Sequence, residues 1–293
     1  MTWRTVHITK RSKLDLRMNH LVVRSKDHTT RIHLSEVGLL MIETTQVSVT
    51  TALLSELSKQ KIRVVICDEK HNPISELLPY HGCHDCSKKI ITQFNWDDGF
   101  MKALWSNIIF QKIFNQRQVL IAKKCDKYYI DLLSSYLSDI ALDDKTNREG
   151  LSAKVYFAGL FSNEFIRGDE TVTNAALDYG YQIILSCFNR EIKICGYLTE
   201  LGIHHKSQHN PFNLSSDLME PVRPIVDVIV YDNKFGAFGK EEKRIVQSVL
   251  HKDVFVNNKR QVLTNAISIY TKSIMDALLY KDLTKIKWIQ YEL

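Results

Sequence analysis

The sequence predicts an α+β protein with a small N-terminal β-rich domain over residues 1–79, a linker over 80–98, and a larger all-α domain over 99–293. Three observations predict it. Apolar residues alternate with polar ones in parts of the first stretch. A run rich in Pro, Gly and charge then breaks the pattern. Beyond that break, apolar residues recur every three or four positions, the spacing of a helix face.

Leu14, Leu16 and Met18 alternate with Lys13, Asp15 and Arg17, the period of a half-buried strand. Asn19-His20 predicts a hairpin turn before Leu21-Val22-Val23. Leu53, Leu54 and Leu57 have helical spacing, with Ser48 or Thr50 as a cap. Ile62 to Cys67 is a β-branched run ended by Asp68. Pro79, Gly82, the polar run His84 to Lys89 and Asp97-Asp98-Gly99 mark the boundary. Phe100, Leu104 and Ile108 open the helical part, capped by Asp97 or Asp98. Leu132, Leu133, Tyr136, Leu137 and Ile140 form a second stripe, and Leu151, Val155 and Ala158 a third. Ile245, Val249 and Leu250 mark a late helix, and the stretch from Val262 to Leu279 another. No internal repeat or low-complexity tract interrupts the chain.

The chain of 293 residues is 44% apolar, enough for a core, and carries a net charge of +6. That balance favours an anionic partner without naming it. No apolar run approaches the roughly 20 residues needed to span a bilayer, so no membrane partner is expected. Met1 to Val6 lacks the apolar core of a signal peptide. A cytoplasmic protein with six reduced cysteines is therefore expected. Walker, GxGxxG, HExxH and GxSxG motifs are missing, which removes support for nucleotide-driven, zinc-protease and serine-hydrolase chemistry.

Chemistry concentrates in Asp217-Leu218-Met219-Glu220-Pro221-Val222-Arg223-Pro224, which follows His204-His205 after a short polar loop. Asp217 and Glu220, three apart, share one face if helical. Ser215 or Ser216 could cap that helix. Pro221 and Pro224 lack amide hydrogens, so the helix either begins near Asp217 or is kinked just after the site. Glu149 opens the third stripe, with the small Ser152 and Ala153 beside it. Carboxylates and imidazole suit Mg²⁺ or Mn²⁺ better than a thiolate-loving metal. In a basic chain this suggests phosphodiester chemistry on a nucleic acid. Spacing alone leaves His204 and His205 as competing ligands, and leaves Arg223 divided between a phosphate and an ion pair.

Asn147-Arg148-Glu149-Gly150 running into Ala153 to Phe157, then Ala176 to Tyr181, Gly202 to His205 and Asp217 to Pro224, together resemble the CRISPR adaptation integrases. The resemblance covers nearly the whole chain. Trp3-Arg4-Thr5 through Leu14, and Ile32 to Glu36, look like the branch that accompanies type II-A systems. The resemblance implies a metal-dependent DNA endonuclease and integrase that inserts new spacers into a CRISPR array. Its attacking group is the 3′-hydroxyl of incoming DNA, and its target a phosphodiester at the repeat border. It implies Glu149, His205 and Glu220 as the catalytic metal ligands, with Asp217 supporting them through a second ion, a bound water or an oriented ligand. It implies a homodimer formed through the N-terminal β domain, a catalytic helical domain, double-stranded DNA as substrate, and a small ferredoxin-like adaptation partner in a larger complex. Other members of such systems, the effector nuclease among them, then take part in selecting the DNA.

Arg148, Lys154, Lys206 and Arg223 are the expected phosphate contacts. Cys83-His84-Asp85-Cys86 with His81 is half a zinc site, and reduced linker cysteines are the default. Two other readings share these residues: a structure-specific DNA repair nuclease, and a non-catalytic DNA-binding scaffold.

Overall fold

A computed structural model describes residues 4–69, 71, 73–77 and 84–291. The chain divides into two compact units, Met1–Gly82 and Cys83–Leu293. It is mixed α+β, β-rich at the N-terminus and helical beyond. His81 and Cys83 of the half zinc site lie outside the described residues.

The N-terminal unit holds two four-stranded sheets. Strands β1 (Arg4–Ile8), β2 (Ser12–Arg17), β3 (His20–Arg24) and β4 (Thr29–His33) are followed by β5 (Val37–Ile42), β6 (Val47–Val49), helix α1 (Thr51–Lys59), β7 (Arg63–Cys67) and β8 (Pro73–Leu77). One sheet has the order β1-β5-β7-β8 and the other β4-β3-β2-β6. In the first, β1, β5 and β7 run parallel and β8 returns antiparallel. Leu14, Leu21, Leu34, Leu40, Leu53 and Leu57 close the core between strands and helix. The cap of α1 is Thr50, whose hydroxyl accepts the Leu53 amide.

The β2–β3 turn falls one residue earlier than expected. Met18 and Asn19 both have positive φ, at 45° and 60°, the two-residue hairpin conformation whose twist suits the flanking strands. His20 already pairs with Arg17. Met18 is therefore a turn tip, 95% exposed, and not an inward strand residue.

The second unit contains α2 (Cys86–Phe94), α3 (Asp98–Ala122), α4 (Lys127–Leu137), α5 (Arg148–Leu160), α6 (Val172–Cys195), α7 (Asn213–Met219), α8 (Arg223–Asn233), α9 (Lys240–Gln247) and α10 (Leu263–Tyr280). The long α3 runs through its core, burying Leu104, Trp105, Ile108, Ile109, Ile113, Val119 and Leu120. Its N-terminus is capped by Asp97, which accepts the Phe100 amide at 2.8 Å. Helix α6 ends at Gly196, whose φ of 86° makes the left-handed cap that glycine adopts without strain.

Two expectations are corrected here. Residues 86–94, expected within a linker, form α2, and Gln93 is buried. Its side-chain amide donates to the Leu198 and Leu201 carbonyls at 2.9 and 3.0 Å and its oxygen accepts the Leu198 amide at 2.8 Å. Three bonds from one side chain fasten the helix to its own unit. The second unit is also not all-α. β9 (Asp253–Val256), β10 (Lys259–Val262) and β11 (Ile289–Tyr291) form an antiparallel sheet in the order β10-β9-β11. The β9–β10 turn is Asn257-Asn258, both at positive φ. Asparagine tolerates that conformation, and the Asn pair after Val254-Phe255-Val256 is the hairpin signal in the sequence.

Candidate active site

Glu149 stands in the first turn of α5, and that turn is tightly held. The Asp144 carboxylate is buried and accepts the Arg148 amide at 2.8 Å and the Glu149 amide at 2.9 Å. Asn147, at φ 51°, accepts the Gly150 amide with its side-chain oxygen. Unpaired helix-start donors are thus capped twice, and the Glu149 backbone is fixed. Asp144 was not singled out from the sequence. An acidic residue four positions before a helix start was the available signal.

Glu220 sits at a break. Helix α7 ends at Met219, a 3₁₀ turn spans Glu220–Val222, and α8 starts at Arg223. Pro221 cannot donate to the Asp217 carbonyl, nor Pro224 to the Glu220 carbonyl, so the α-helical ladder fails at the site. The helix starts at Asn213 with no side-chain cap, and Ser215 is buried within it, so neither serine caps it. The Pro221 carbonyl instead accepts from Asn115 Nδ2 at 2.8 Å and from the Tyr291 hydroxyl of β11. Strand β11 and helix α3 together hold the break in place.

The two carboxylates meet one cation. Lys112 Nζ, buried on α3, lies 3.0 Å from Glu149 Oε1 and 2.5 Å from Glu220 Oε2. Glu220 Oε1 accepts from Arg223 Nε at 2.8 Å. Burial pushes the Glu220 carboxyl up, but Arg223, Lys112 and His205 outweigh it and bring it down to about 2. Lys112 likewise stays charged: burial opposes its ammonium, and Glu220 and Glu149 more than compensate.

His205 is oriented by Asp217. The Asp217 carboxylate is fully buried and accepts the Ile203 and His204 amides at 2.5 and 3.0 Å through Oδ2. Oδ1 takes the His205 amide at 3.1 Å and His205 Nδ1 at 2.6 Å. Four donors fill the four lone-pair sites of a carboxylate, which leaves none for a second ion. Gly202 permits this wrap, since a Cβ there would meet the His205 carbonyl at 2.4 Å and Asp217 Oδ2 at 2.7 Å. With Nδ1 bonded to Asp217, neutral His205 keeps Nε2 as a free lone pair. The Asp217 bond raises the His205 pKa, burial opposes, and Glu220 and Glu149 add to the rise. His204 goes elsewhere. Its ring stacks on Trp105 at 4.3 Å, and Nδ1 lies 3.3 Å from Asp143 Oδ1.

Do these residues suit a divalent cation? As they stand, no three His, Cys, Asp or Glu side chains among the described residues are gathered to hold an ion. Lys112 takes up the space between the glutamates. The donor set nevertheless fits. Glu220 Oε2 is buried, and the Lys112 ammonium at 2.5 Å compensates it. A buried anionic oxygen in that state calls for a cation.

The four expected DNA contacts divide into two pairs. Arg148 is ion-paired with Asp139 and lies over the Tyr136 ring at 5.0 Å. Arg223 is held by Glu220 and lies 4.8 Å over the Tyr181 ring. Both guanidiniums are partly exposed, and each already has a carboxylate partner. Lys154 and Lys206 are exposed. A second buried set lies beside Arg223: the Tyr181 hydroxyl donates to Asp227 Oδ1 at 2.5 Å, and burial raises the Asp227 carboxyl to about 6 against its tyrosine bonds.

The fold matches solved structures over nearly its whole length. A casposase bound to integration product matches 97% of this chain and 92% of its own, with a TM-score of 0.73 and 15% identity. A partial Cas6-RT-Cas1–Cas2 complex matches 99% of this chain and 100% of its own, with a TM-score of 0.68 and 18% identity. These likenesses define the fold. In sequence, the CRISPR-associated endonuclease Cas1 of Neisseria meningitidis serogroup C (strain 8013) is 34% identical over 234 residues, 78% of this chain and 75% of the relative. The chain belongs to the family described as CRISPR associated protein Cas1, whose pattern matches residues 6–234. It is an enzyme of that family, a CRISPR-associated endonuclease. No helix among the described residues is long and apolar enough to cross a membrane.

Proposed function

We propose that Glu149, His205 and Glu220 hold one Mg²⁺ or Mn²⁺ ion, and that this centre joins captured DNA to a CRISPR repeat border. The observation that carries the reading is that Glu149 Oε1 and Glu220 Oε2 face the same cation, Lys112 Nζ, at 3.0 and 2.5 Å. When bound, the ion supplies polarisation of the phosphodiester and neutralises charge on the attacking and leaving oxygens. The chain's own residues supply the placement. Asp217 keeps the His205 proton on Nδ1 and so presents Nε2. Asp144 fixes the turn that carries Glu149. Arg223 keeps Glu220 ionised and fixes its rotamer. A 3′-hydroxyl as attacking group gives joining, and water at the same centre gives cleavage.

The double-stranded DNA partner is supported by the casposase bound to integration product, and a protein partner by the Cas1–Cas2 complex. The small ferredoxin-like partner, a homodimer formed through residues 1–79, the type II-A-like branch and a cytoplasmic location complete the proposal. The test is joining of a short duplex to a repeat-bearing plasmid with Mn²⁺ and the partner present. Glu149→Ala, His205→Ala and Glu220→Ala are each expected to abolish joining while the protein stays folded, with Glu220→Ala melting earlier because it leaves buried Lys112 and Arg223 without their shared carboxylate. Full joining by Glu149→Ala overturns the ligand set. Cleavage without joining by the unaltered protein moves the reading to a repair nuclease, and DNA binding without either moves it to a scaffold.

A further inference from the structure

We propose that Lys112 is the resident counter-cation of this centre: its ammonium ties Glu149 to Glu220 while the ion is absent, and the arriving ion displaces it. The inference rests on the reading of Glu149 and Glu220 as metal ligands.

Lys112 is one of few buried lysines, and its charge has to be compensated where it lies. It reaches residues 37 positions away in the chain at Glu149 and, through Glu220, the break between α7 and α8. One ammonium thus gathers three segments: α3, the start of α5 and the 3₁₀ turn. The oxygens it holds are the ones a metal would need. Glu220 has no spare oxygen, because Oε1 belongs to Arg223. Glu220 Oε2 meets the Lys112 ammonium at 2.5 Å as an ion pair, a contact that a harder cation can replace.

Charge leads to the same conclusion. Lys112 and Arg223 balance Glu149 and Glu220. A divalent ion between the glutamates places two further positive charges beside the ammonium, and like charges at such range repel strongly in a buried setting. The carboxylates therefore serve the ammonium or the ion, and binding is an exchange. Two consequences follow. The glutamates do not repel each other apart in the metal-free protein, so the centre stays assembled. The apparent metal affinity is weaker than the intrinsic one by the fraction of molecules in which Lys112 has left.

The test uses the full chain and Mn²⁺ itself. Mn²⁺ binding is measured by the loss of the free-ion paramagnetic resonance signal, for the unaltered protein and Lys112→Met. Methionine keeps the length and apolar stem and removes the charge. The variant is expected to bind Mn²⁺ at least tenfold more tightly, to melt earlier in chelator, and to gain more melting temperature on Mn²⁺ addition. A lysine with a merely structural role would give unchanged or weaker binding, and either result overturns the proposal. Should Lys112→Met fail to fold, ¹⁵N-lysine spectra of the unaltered protein decide: the Lys112 ammonium signal is expected to move on Mg²⁺ saturation, and a stationary signal overturns displacement. Failure of both proteins to bind Mn²⁺ overturns the metal-centre reading itself, whereas equal affinity with a stationary signal removes only the role of Lys112.

Discussion

His205 couples the site to pH in two opposite directions. Its pKa is raised above the ordinary 6.5, chiefly by the bond to Asp217. A raised folded value means that the folded state binds the proton more strongly than the unfolded chain. The stabilisation is complete below about pH 6.5 and is lost as pH rises through the folded value. Metal binding needs the neutral ring, so protonation competes with the ion. Melting temperature in chelator should therefore fall across that window while joining at limiting Mn²⁺ rises. Joining that is flat across the same window would remove His205 as a ligand. Asp227 gives a second, cleaner pH effect. Its carboxyl is raised to about 6 from 3.8, largely by burial. The folded state again holds the proton longer, so stability falls as pH rises from about 4 through 6. The full amplitude is about 3 kcal/mol at 1.36 kcal/mol per unit. Asp227→Asn retains an acceptor for Tyr181 and should flatten that part of a urea-derived stability profile. An unchanged slope would mean that another group titrates there.

Elements carry the site to its place, and their close approaches are testable. A Cβ added at Gly180 on α6 would lie 2.4 Å from Val226 Cγ1 on α8 and 3.0 Å from Val246 Cγ1. Val226 is fully buried and stiff at χ1, so it cannot turn away. Gly180→Ala should cost about 1–3 kcal/mol through overpacking. Val226→Ala should recover part of that loss, making the double variant less costly than the sum of the singles by about 1 kcal/mol. Strict additivity in denaturant melts would place the strain elsewhere. Helices such as α3 were legible because Phe100, Leu104 and Ile108 repeat at helical period behind an Asp97 cap. Strands β9 to β11 were missed, because three or four residues carry too few alternations to show a period and the Asn257-Asn258 turn was their one signal. Helix α2 was hidden by a polar sequence, since its main anchor is Gln93 and not an apolar stripe. The break at Glu220 was legible from Pro221 and Pro224, whereas Lys112 and Tyr291 were invisible: what makes them matter is proximity across the fold, which sequence spacing does not record.

For the whole molecule, the expected phosphate binding follows from which cations remain available. The net charge of +6 spreads over many basic residues, and backbone phosphate binding depends on such scattered charge. Arg148 is taken by Asp139, and Arg223 by Glu220. Lys154 and Lys206 are exposed and remain the better candidates for phosphate. Binding of captured duplex should therefore be nearly independent of sequence and weaken steeply with salt. Each phosphate neutralised contributes about −0.9 to the slope of log affinity against log salt. Lys154→Ala or Lys206→Ala should make the slope shallower by about 0.9 for each phosphate no longer neutralised, and weaken all duplexes alike. Arg148→Ala should leave the slope unchanged and act through the fold, because it strips Asp139 and Tyr136 of their partner near the start of α5. A slope that becomes shallower in Arg148→Ala, with both lysine variants unchanged, would reverse the assignment and put Arg148 on the phosphate backbone.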